Sequence, residues 1–279
     1  MRLAYSSNAF TRTDLGSALN AIADLGFCGA EILCDRPHWF PGEVTDGEVD
    51  RIAVLLEERG LAVSNLNANT ANGYYRPTPA ENTFEPALSN RDRNLRQWRQ
   101  NYTIEAIRLA RRIGAGSVSV TSGHPVPGTS PQRSLDYFVD SLKHICDQAA
   151  QYDVRVGIEY EPGLLVERAV EVAEILDRVG SGQLGVNLDI GHSWLDGETP
   201  EQAVALLAGR IWNVHVEDIK NRKHFHLVPG DGDLPFERYF NALRATGYKG
   251  FLTVELYSYP ENPVAVGQRS LDYLTRLLG

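Results

Sequence analysis

The chain has 279 residues, of which 43% are hydrophobic and 23% are charged, and its formal net charge is -9. This length and composition are typical of one large globular domain and exclude a disordered chain. Because binding to nucleic acid depends on neutralising phosphates with Lys and Arg, the acidic charge disfavours a nucleic-acid partner. No apolar run reaches the roughly 18 residues of a membrane span.

Short β-rich runs alternate eight times with segments of helical periodicity, which predicts a parallel (β/α)8 barrel with residues 1–279 as a single domain. Several of the helical segments end in glycine, which is a helix stop signal. A doubly wound open sheet is the alternative, but no Gly-rich phosphate motif follows the first strand. The predicted strands cover residues 2–6, 29–34, 61–69, 117–123, 154–161, 184–191, 211–218 and 251–258.

The first ten residues, MRLAYSSNAF, lack the apolar region and the cleavage site of a signal peptide, so a first strand and a cytoplasmic location are expected. Three cysteines, Cys28, Cys34 and Cys146, are odd in number and lack metal-type spacing, which indicates free thiols. The oligomeric state is left open, and a homo-oligomer is compatible with the sequence.

A long loop follows the third predicted strand. Residues 70–90 are rich in Pro, Asn and aromatic residues, and they exceed the usual few residues between barrel elements. Loops after barrel strands lie at the catalytic mouth, so a lid carrying Tyr74, Tyr75 and Phe84 is expected. The alternative is an inert surface insertion.

Polar side chains lie at the ends of predicted strands five to eight, where barrel enzymes place their active groups. Alternation along strand five points both Glu159 and Glu161 into the barrel. Each acid alone would be a salt-bridged strand end and the histidine a core residue, but their joint occurrence predicts a site for a divalent metal. Its repulsive carboxylates need a cation, and oxygen with one imidazole suits Mn²⁺, Mg²⁺ or Co²⁺, with Zn²⁺ also compatible. The predicted ligands are Glu159, Asp189, His215 and Glu255.

Four motifs of this chain resemble the xylose isomerase-like barrel superfamily, which includes ketose 3-epimerases, inosose dehydratases, dehydroshikimate dehydratases and the endonuclease IV group. They are GIEYEPG, GVNLDIGH, NVHVEDIKNRKHFHLVPGDGDLPF and TVEL, and the similarity extends over essentially the whole chain. The resemblance implies the same four metal ligands, with Glu161 as a competing first ligand. It also implies that Glu159 and Glu255 act from opposite faces of the substrate, one removing and one returning a proton.

The resemblance further implies that the histidine of an Asp-x-x-His motif and a downstream arginine contact the substrate, here His192 and Arg222. The pair His224 and His226 is a feature that a one-metal isomerase does not require. In the endonuclease IV group a related pair holds an additional metal together with the Asp-x-x-His histidine, so a second metal site formed by His192, His224 and His226 is the alternative here. That group has an Asp where this chain has His224, and only His124 could replace its other histidine ligands. We therefore expect the substrate to be bound by His192, Arg222, His224, His226, Glu161 and His124.

The expected function is that of a metal-dependent isomerase or epimerase that acts on a sugar, a sugar phosphate or an inosose through an enediolate. A dehydratase would use the same metal and base but expel a β-hydroxyl group, so the ligand set does not separate the two. A non-catalytic binding barrel is a further alternative. Paired carboxylates argue against it, because a site that moves no proton does not need them.

Overall fold

The computed structural model describes residues 1–79 and 83–279. Within these residues the strands are β1 (Arg2–Ser6), β2 (Gly29–Leu33), β3 (Ala62–Asn67), β4 (Ser117–Val120), β5 (Arg155–Ile158), β6 (Leu184–Asp189), β7 (Ile211–Val216), β8 (Asp218–Lys220), β9 (Lys223–Leu227) and β10 (Phe251–Val254). The helices are α1 (Leu15–Leu25), α2 (Asp46–Glu58), α3 (Arg93–Arg112), α4 (Pro131–Tyr152), α5 (Ala169–Val179), α6 (Ile190–Leu195), α7 (Pro200–Leu206), α8 (Phe236–Ala245) and α9 (Pro263–Leu278), with short 3-10 turns at Ser7–Phe10 and Asn72–Tyr74.

Eight parallel strands close a barrel in the order β1-β10-β7-β6-β5-β4-β3-β2, which confirms the predicted (β/α)8 fold. Several strands are shorter at their C-terminal ends than predicted: β5 ends at Ile158 and β10 at Val254. The residue after each of these strands still pairs with the neighbouring strand. Glu159 N donates to Val120 O of β4 at 2.8 Å, and Glu255 N donates to Val216 O of β7 at 3.1 Å. Both glutamates therefore lie at the rim, where the chain leaves the barrel.

The longer helices cover the outside of the barrel with one apolar face each. In α5 the buried face includes Val172, Ile175 and Leu176, and burying side chains of this size stabilises the fold by about 1.5–3 kcal/mol each. The helix ends where the sequence predicted, because Gly180 takes a φ of 68° and donates its N–H to Leu176 O. Of the helices in the described ranges, none has the length and hydrophobicity to span a bilayer.

An antiparallel hairpin, β8–β9, follows β7 and lies outside the barrel sheet. The sequence analysis did not predict it. The Asp218 carboxylate fixes the loop that follows, because it accepts hydrogen bonds from the backbone N–H groups of Gly230 at 2.8 Å, Gly232 at 2.9 Å and Leu234 at 3.1 Å. Since side chains two apart on a strand share a face, the hairpin presents His224 and His226 together.

The predicted lid is tied to the end of β2. The Asp35 carboxylate accepts from Thr70 Oγ1 at 3.0 Å and from the N–H groups of Asn72 and Gly73 at 2.7 and 2.9 Å. The Tyr74 ring packs with its centroid 4.5 Å from that of Trp98 on α3. Residues 80–82 of the predicted lid lie outside the described residues.

Candidate metal centre and active site

Four ligand-type side chains converge where β5, β6, β7 and β10 end. His215 Nδ1 lies 3.0 Å from Glu159 Oε2, 3.5 Å from Glu255 Oε2 and 4.0 Å from Asp189 Oδ2. One nitrogen or carboxylate oxygen from each residue lies within 4.8 Å of all the others, and all four side chains are buried. The structure thus brings together the complete set of predicted ligands.

The chemistry of this cluster fits a divalent cation. Asp189 Oδ2 is buried and has no hydrogen-bond partner among the described residues, which is costly for an anionic oxygen. Burial and the neighbouring carboxylates raise the pKa of Glu255 to about 8 against the opposing charge of His215. A cation between these groups would pair with Asp189 Oδ2 and would favour the ionised form of Glu255. Three carboxylates with one imidazole are suitable ligands for Mn²⁺, Mg²⁺, Co²⁺ or Zn²⁺.

Glu31 on β2 fixes the orientation of the His215 ring from behind the cluster. The side chain is fully buried, and its Oε2 accepts from His215 Nε2 at 2.7 Å. Burial opposes ionisation of Glu31, but the His215 charge and its hydrogen bonds outweigh burial and lower the pKa of this carboxyl. Because the carboxylate holds the proton on Nε2, Nδ1 is the nitrogen directed at the predicted ligands.

Buried asparagine amides hold the two candidate acid–base carboxylates. Asn8 Nδ2 and Asn67 Nδ2 donate to Glu255 Oε1 at 2.8 and 3.0 Å, and Asn69 Nδ2 donates to Glu159 Oε2 at 2.9 Å. The other oxygen of Glu255, Oε2, accepts neither of these hydrogen bonds and belongs to the ligand cluster. These amides lock the two carboxylates in position without neutralising them.

Asp189 also caps a helix. Its Oδ1 accepts from the N–H groups of Gly191 at 2.8 Å and His192 at 2.9 Å at the start of α6, while Oδ2 belongs to the cluster. Glu217, which the sequence analysis did not select, packs beside it. Burial and the Asp189 charge raise the pKa of Glu217 well above its ordinary value. Gly191 makes the contact possible, because a Cβ atom there would lie 1.6 Å from Glu217 Oε1.

Three histidines form a second cluster beside the first. Nε2 of His224 lies 3.1 Å from Nε2 of His192 and 3.2 Å from Nε2 of His226. The Nδ1 atoms of His192 and His226 face the carbonyls of Tyr160 and Glu255 at 3.2 and 3.1 Å. Because these carbonyls accept the Nδ1–H groups, the Nε2 atoms of His192 and His226 both point at His224 Nε2.

Charge differs among the three rings. Burial opposes a charge on His192, but Asp189 and Glu161 outweigh burial and raise its pKa to about 9. Burial, followed by the His192 charge, lowers the pKa of His224 to about 4. One charged donor beside two neutral rings suits the hydroxyl groups of a ligand.

A cavity of about 460 Å³ opens over both clusters. The predicted site residues in its wall are Glu159, Glu255, Glu161, His192, His224, His226 and His124, and Phe84 of the lid joins them. Burial raises the pKa of Glu161 to about 7. Arg222 is not among the described lining residues: it is exposed in the hairpin turn and donates to Trp194 O at 2.9 Å.

The sequence analysis missed several residues of this site, although two signals for them were present. Glu31 is the single charged residue in the otherwise apolar strand GAEIL, and a buried charge in such a strand needs a partner. Asn65, Asn67 and Asn69 are two apart around the end of β3, so they share the face that looks into the barrel. Asn187, whose amide donates to Glu159 Oε2, and Tyr257, which lines the cavity, had no signal of comparable strength.

Comparisons with known proteins agree with the fold. A family model described as xylose isomerase-like TIM barrel matches residues 19–277, and the chain belongs to that family. Fructoselysine 3-epimerase of Shigella flexneri is 24% identical over 272 residues, which cover 96% of this chain and 94% of that protein. Inosose dehydratase of Bacillus cereus (strain AH820) is 22% identical over 273 residues, which cover 86% of each. A crystal structure of the IOLI protein with a binding zinc atom superposes with a TM-score of 0.80 at 18% identity over 100% of this chain and 98% of that one.

Proposed function

We propose that the protein is a divalent-metal-dependent epimerase or isomerase of a small polyhydroxylated carbonyl compound, such as a ketose, its phosphate or an inosose. The observation that carries this proposal is the pair Glu159 and Glu255. Both carboxylates line one cavity, and both lie beside His215 Nδ1 at the base of that cavity. The named 3-epimerase and dehydratase relatives act in the same family and support this class of substrate.

A divalent cation held by Glu159, Asp189, His215 and Glu255 would polarise the substrate carbonyl and make the adjacent C–H group more acidic. Glu159 and Glu255 would then serve as base and acid: one takes that proton, and the other, in its protonated form, donates a proton of its own at the opposite face. Asn69 keeps Glu159 aligned, and Asn8 and Asn67 keep Glu255 aligned. The side chains of His192, His224 and His226 supply hydrogen bonds to substrate hydroxyl groups.

The test is exchange of a substrate proton with solvent deuterium. Purified protein loaded with Mn²⁺ or Zn²⁺ is incubated in D2O with a panel of ketoses and inososes, and deuterium in the recovered sugar is measured by mass spectrometry. We expect incorporation at the epimerised carbon, together with its loss in Glu159→Gln and Glu255→Gln. Glu201→Gln is the matched control, because this exposed glutamate pairs with Arg238 away from the cavity. Undiminished exchange in both active-site variants would contradict the proposal.

A dehydratase is the second candidate, because Glu161 adds a third carboxyl group to the cavity wall. Such a group can protonate a departing hydroxyl after the first proton is removed. The same incubations separate the two reactions, since a dehydratase releases a product that has lost one water. Loss of water that depends on Glu161 would favour dehydration over epimerisation.

A further inference from the structure

The N-terminal mouth of the barrel, opposite the candidate active site, contains a second large cavity. It measures about 490 Å³, and its wall includes the first residues of several strands, among them Arg2, Ala62, Ser117 and Phe251. A neighbouring cavity of about 260 Å³ shares Arg155 and Trp212 with it and extends the same depression. This end of the barrel therefore has as much room for a small ligand as the candidate active site.

The walls of the two cavities are basic. Arg2 and Arg155 line the larger cavity, Arg155 and Lys249 line the smaller one, and neither wall contains a described Asp or Glu. Ten arginines in the described ranges pair with a carboxylate, as Arg112 does with Asp46. In contrast, Arg2, Arg155 and Lys249 have no carboxylate partner in the described ranges of the chain.

Aromatic rings hold the two guanidinium groups in place. The Arg2 guanidinium carbon lies 3.9 Å from the centroid of the Phe251 ring, and that of Arg155 lies 4.5 Å from the Trp212 ring. Stacking fixes a guanidinium group while its N–H edge stays available. Neither guanidinium group donates a hydrogen bond to an acceptor in residues 1–79 or 83–279. Guanidinium groups without an acid partner in the described ranges, beside aromatic side chains that line the same cavity, match an anion attached to a flat or apolar body.

We propose that this cavity and its smaller neighbour together bind a small organic anion. Its phosphate or carboxylate group would lie at Arg155, which lines both cavities, with Arg2 and Lys249 lining one each, and its apolar part would lie against Trp212 and Phe251. Three positive charges favour a phosphate dianion over a single carboxylate. The site is separate from the candidate metal centre, since neither cavity shares a lining residue with the cavity over that centre.

Isothermal titration calorimetry on the full-length, metal-loaded protein tests the proposal, with phenyl phosphate, benzoate and the neutral benzyl alcohol as probes. We expect phenyl phosphate to bind more tightly than benzoate, and both to bind more tightly than benzyl alcohol. Arg155→Met keeps an unbranched stem but removes the charge, and it should weaken phenyl phosphate binding by at least about tenfold. Arg51→Met is the matched control, because this exposed arginine of α2 lies outside both cavities.

A variant that fills the cavity keeps the test independent of charge. A Cβ atom at Gly116 would have no neighbour within 4 Å, and Gly116 lines the larger cavity, so Gly116→Phe should obstruct it without disturbing the fold. If that variant fails to fold, as judged by circular dichroism, Arg2→Met replaces it. Binding that is unchanged in Arg155→Met and in the cavity variant, or that is equal for benzyl alcohol, would overturn the proposal. Loss in both variants with retention in Arg51→Met would support it.

Discussion

Replacing Asp189 with Asn should separate its two roles. In the structure Oδ1 caps α6 by accepting from Gly191 N and His192 N, while Oδ2 lies buried in the ligand cluster and accepts no hydrogen bond from the described residues. An Asn side chain keeps an oxygen for the cap but places an NH2 group, which donates and cannot ligate, where Oδ2 lies. We therefore expect Asp189→Asn to fold normally and to lose metal binding.

The magnitudes follow from the two contacts. Asn and Asp are comparable at helix N-termini, so Asp189→Asn should change the free energy of unfolding by less than about 1 kcal/mol, whereas Asp189→Ala, which loses the cap, should cost about 0.5–2 kcal/mol. Loss of a group that only orients a ligand typically costs about 10–100-fold in metal affinity. Loss of the charged ligand itself should cost at least about 100-fold in both variants.

Two measurements on the same preparations check this. Urea unfolding of the chelator-treated proteins gives the stability order, and competition with a chromophoric chelator gives the affinity for Zn²⁺ or Mn²⁺. Metal affinity of Asp189→Asn within tenfold of the parent would refute the assignment of Asp189 as a ligand. A stability equal to that of Asp189→Ala would refute the capping role.

Three further outcomes are expected. Glu31→Gln should weaken metal binding by about 10–100-fold, because the His215 ring loses its charged acceptor. Titration calorimetry with Mn²⁺ measures this change, and an unchanged affinity would show that Glu31 does not support the metal site. His226→Ala should lower kcat/KM while metal analysis finds one ion per chain before and after the change; two ions in the parent falling to one would show a second metal instead. Hydrogen exchange in residues 70–79 and 83–90 should slow when a substrate analogue is added, as a closing lid requires, and no change would indicate an inert insertion.

The barrel and the convergence of the four predicted ligands could be predicted, because the first follows from sequence periodicity and the second from the positions of polar residues at strand ends. Eight alternating segments give the closed fold, and polar residues at the ends of parallel strands must meet at one rim. Asp189 and His215 illustrate this, since they lie opposite each other in the register of β6 and β7. Neighbouring strands therefore bring together residues that are 26 positions apart in the chain.

The supporting residues were harder to predict, because their partners come from distant strands. Glu31 contacts His215 across the barrel interior, not along a hydrogen-bonded strand pair, and no local pattern reports such a contact. The hairpin β8–β9 was missed for a different reason. Its sequence, from Asp218 to Leu227, is mostly polar and charged, and its loop is fixed by the Asp218 carboxylate instead of an apolar face.

The two ends of the barrel carry clusters of opposite charge, carboxylates at the C-terminal rim and arginines at the N-terminal mouth. At the C-terminal rim, three buried carboxylates meet around His215, and Asp189 Oδ2 has no hydrogen-bond partner among the described residues, so this cluster favours a cation. At the N-terminal mouth, Arg2 and Arg155 have fixed positions over aromatic rings but no acid opposite them. A protein with a net charge of -9 has ample carboxylates to pair with these arginines. Because these arginines lie apart from the carboxylates, the two ends favour ligands of opposite charge: a divalent cation at the carboxylates, and an organic anion at the arginines.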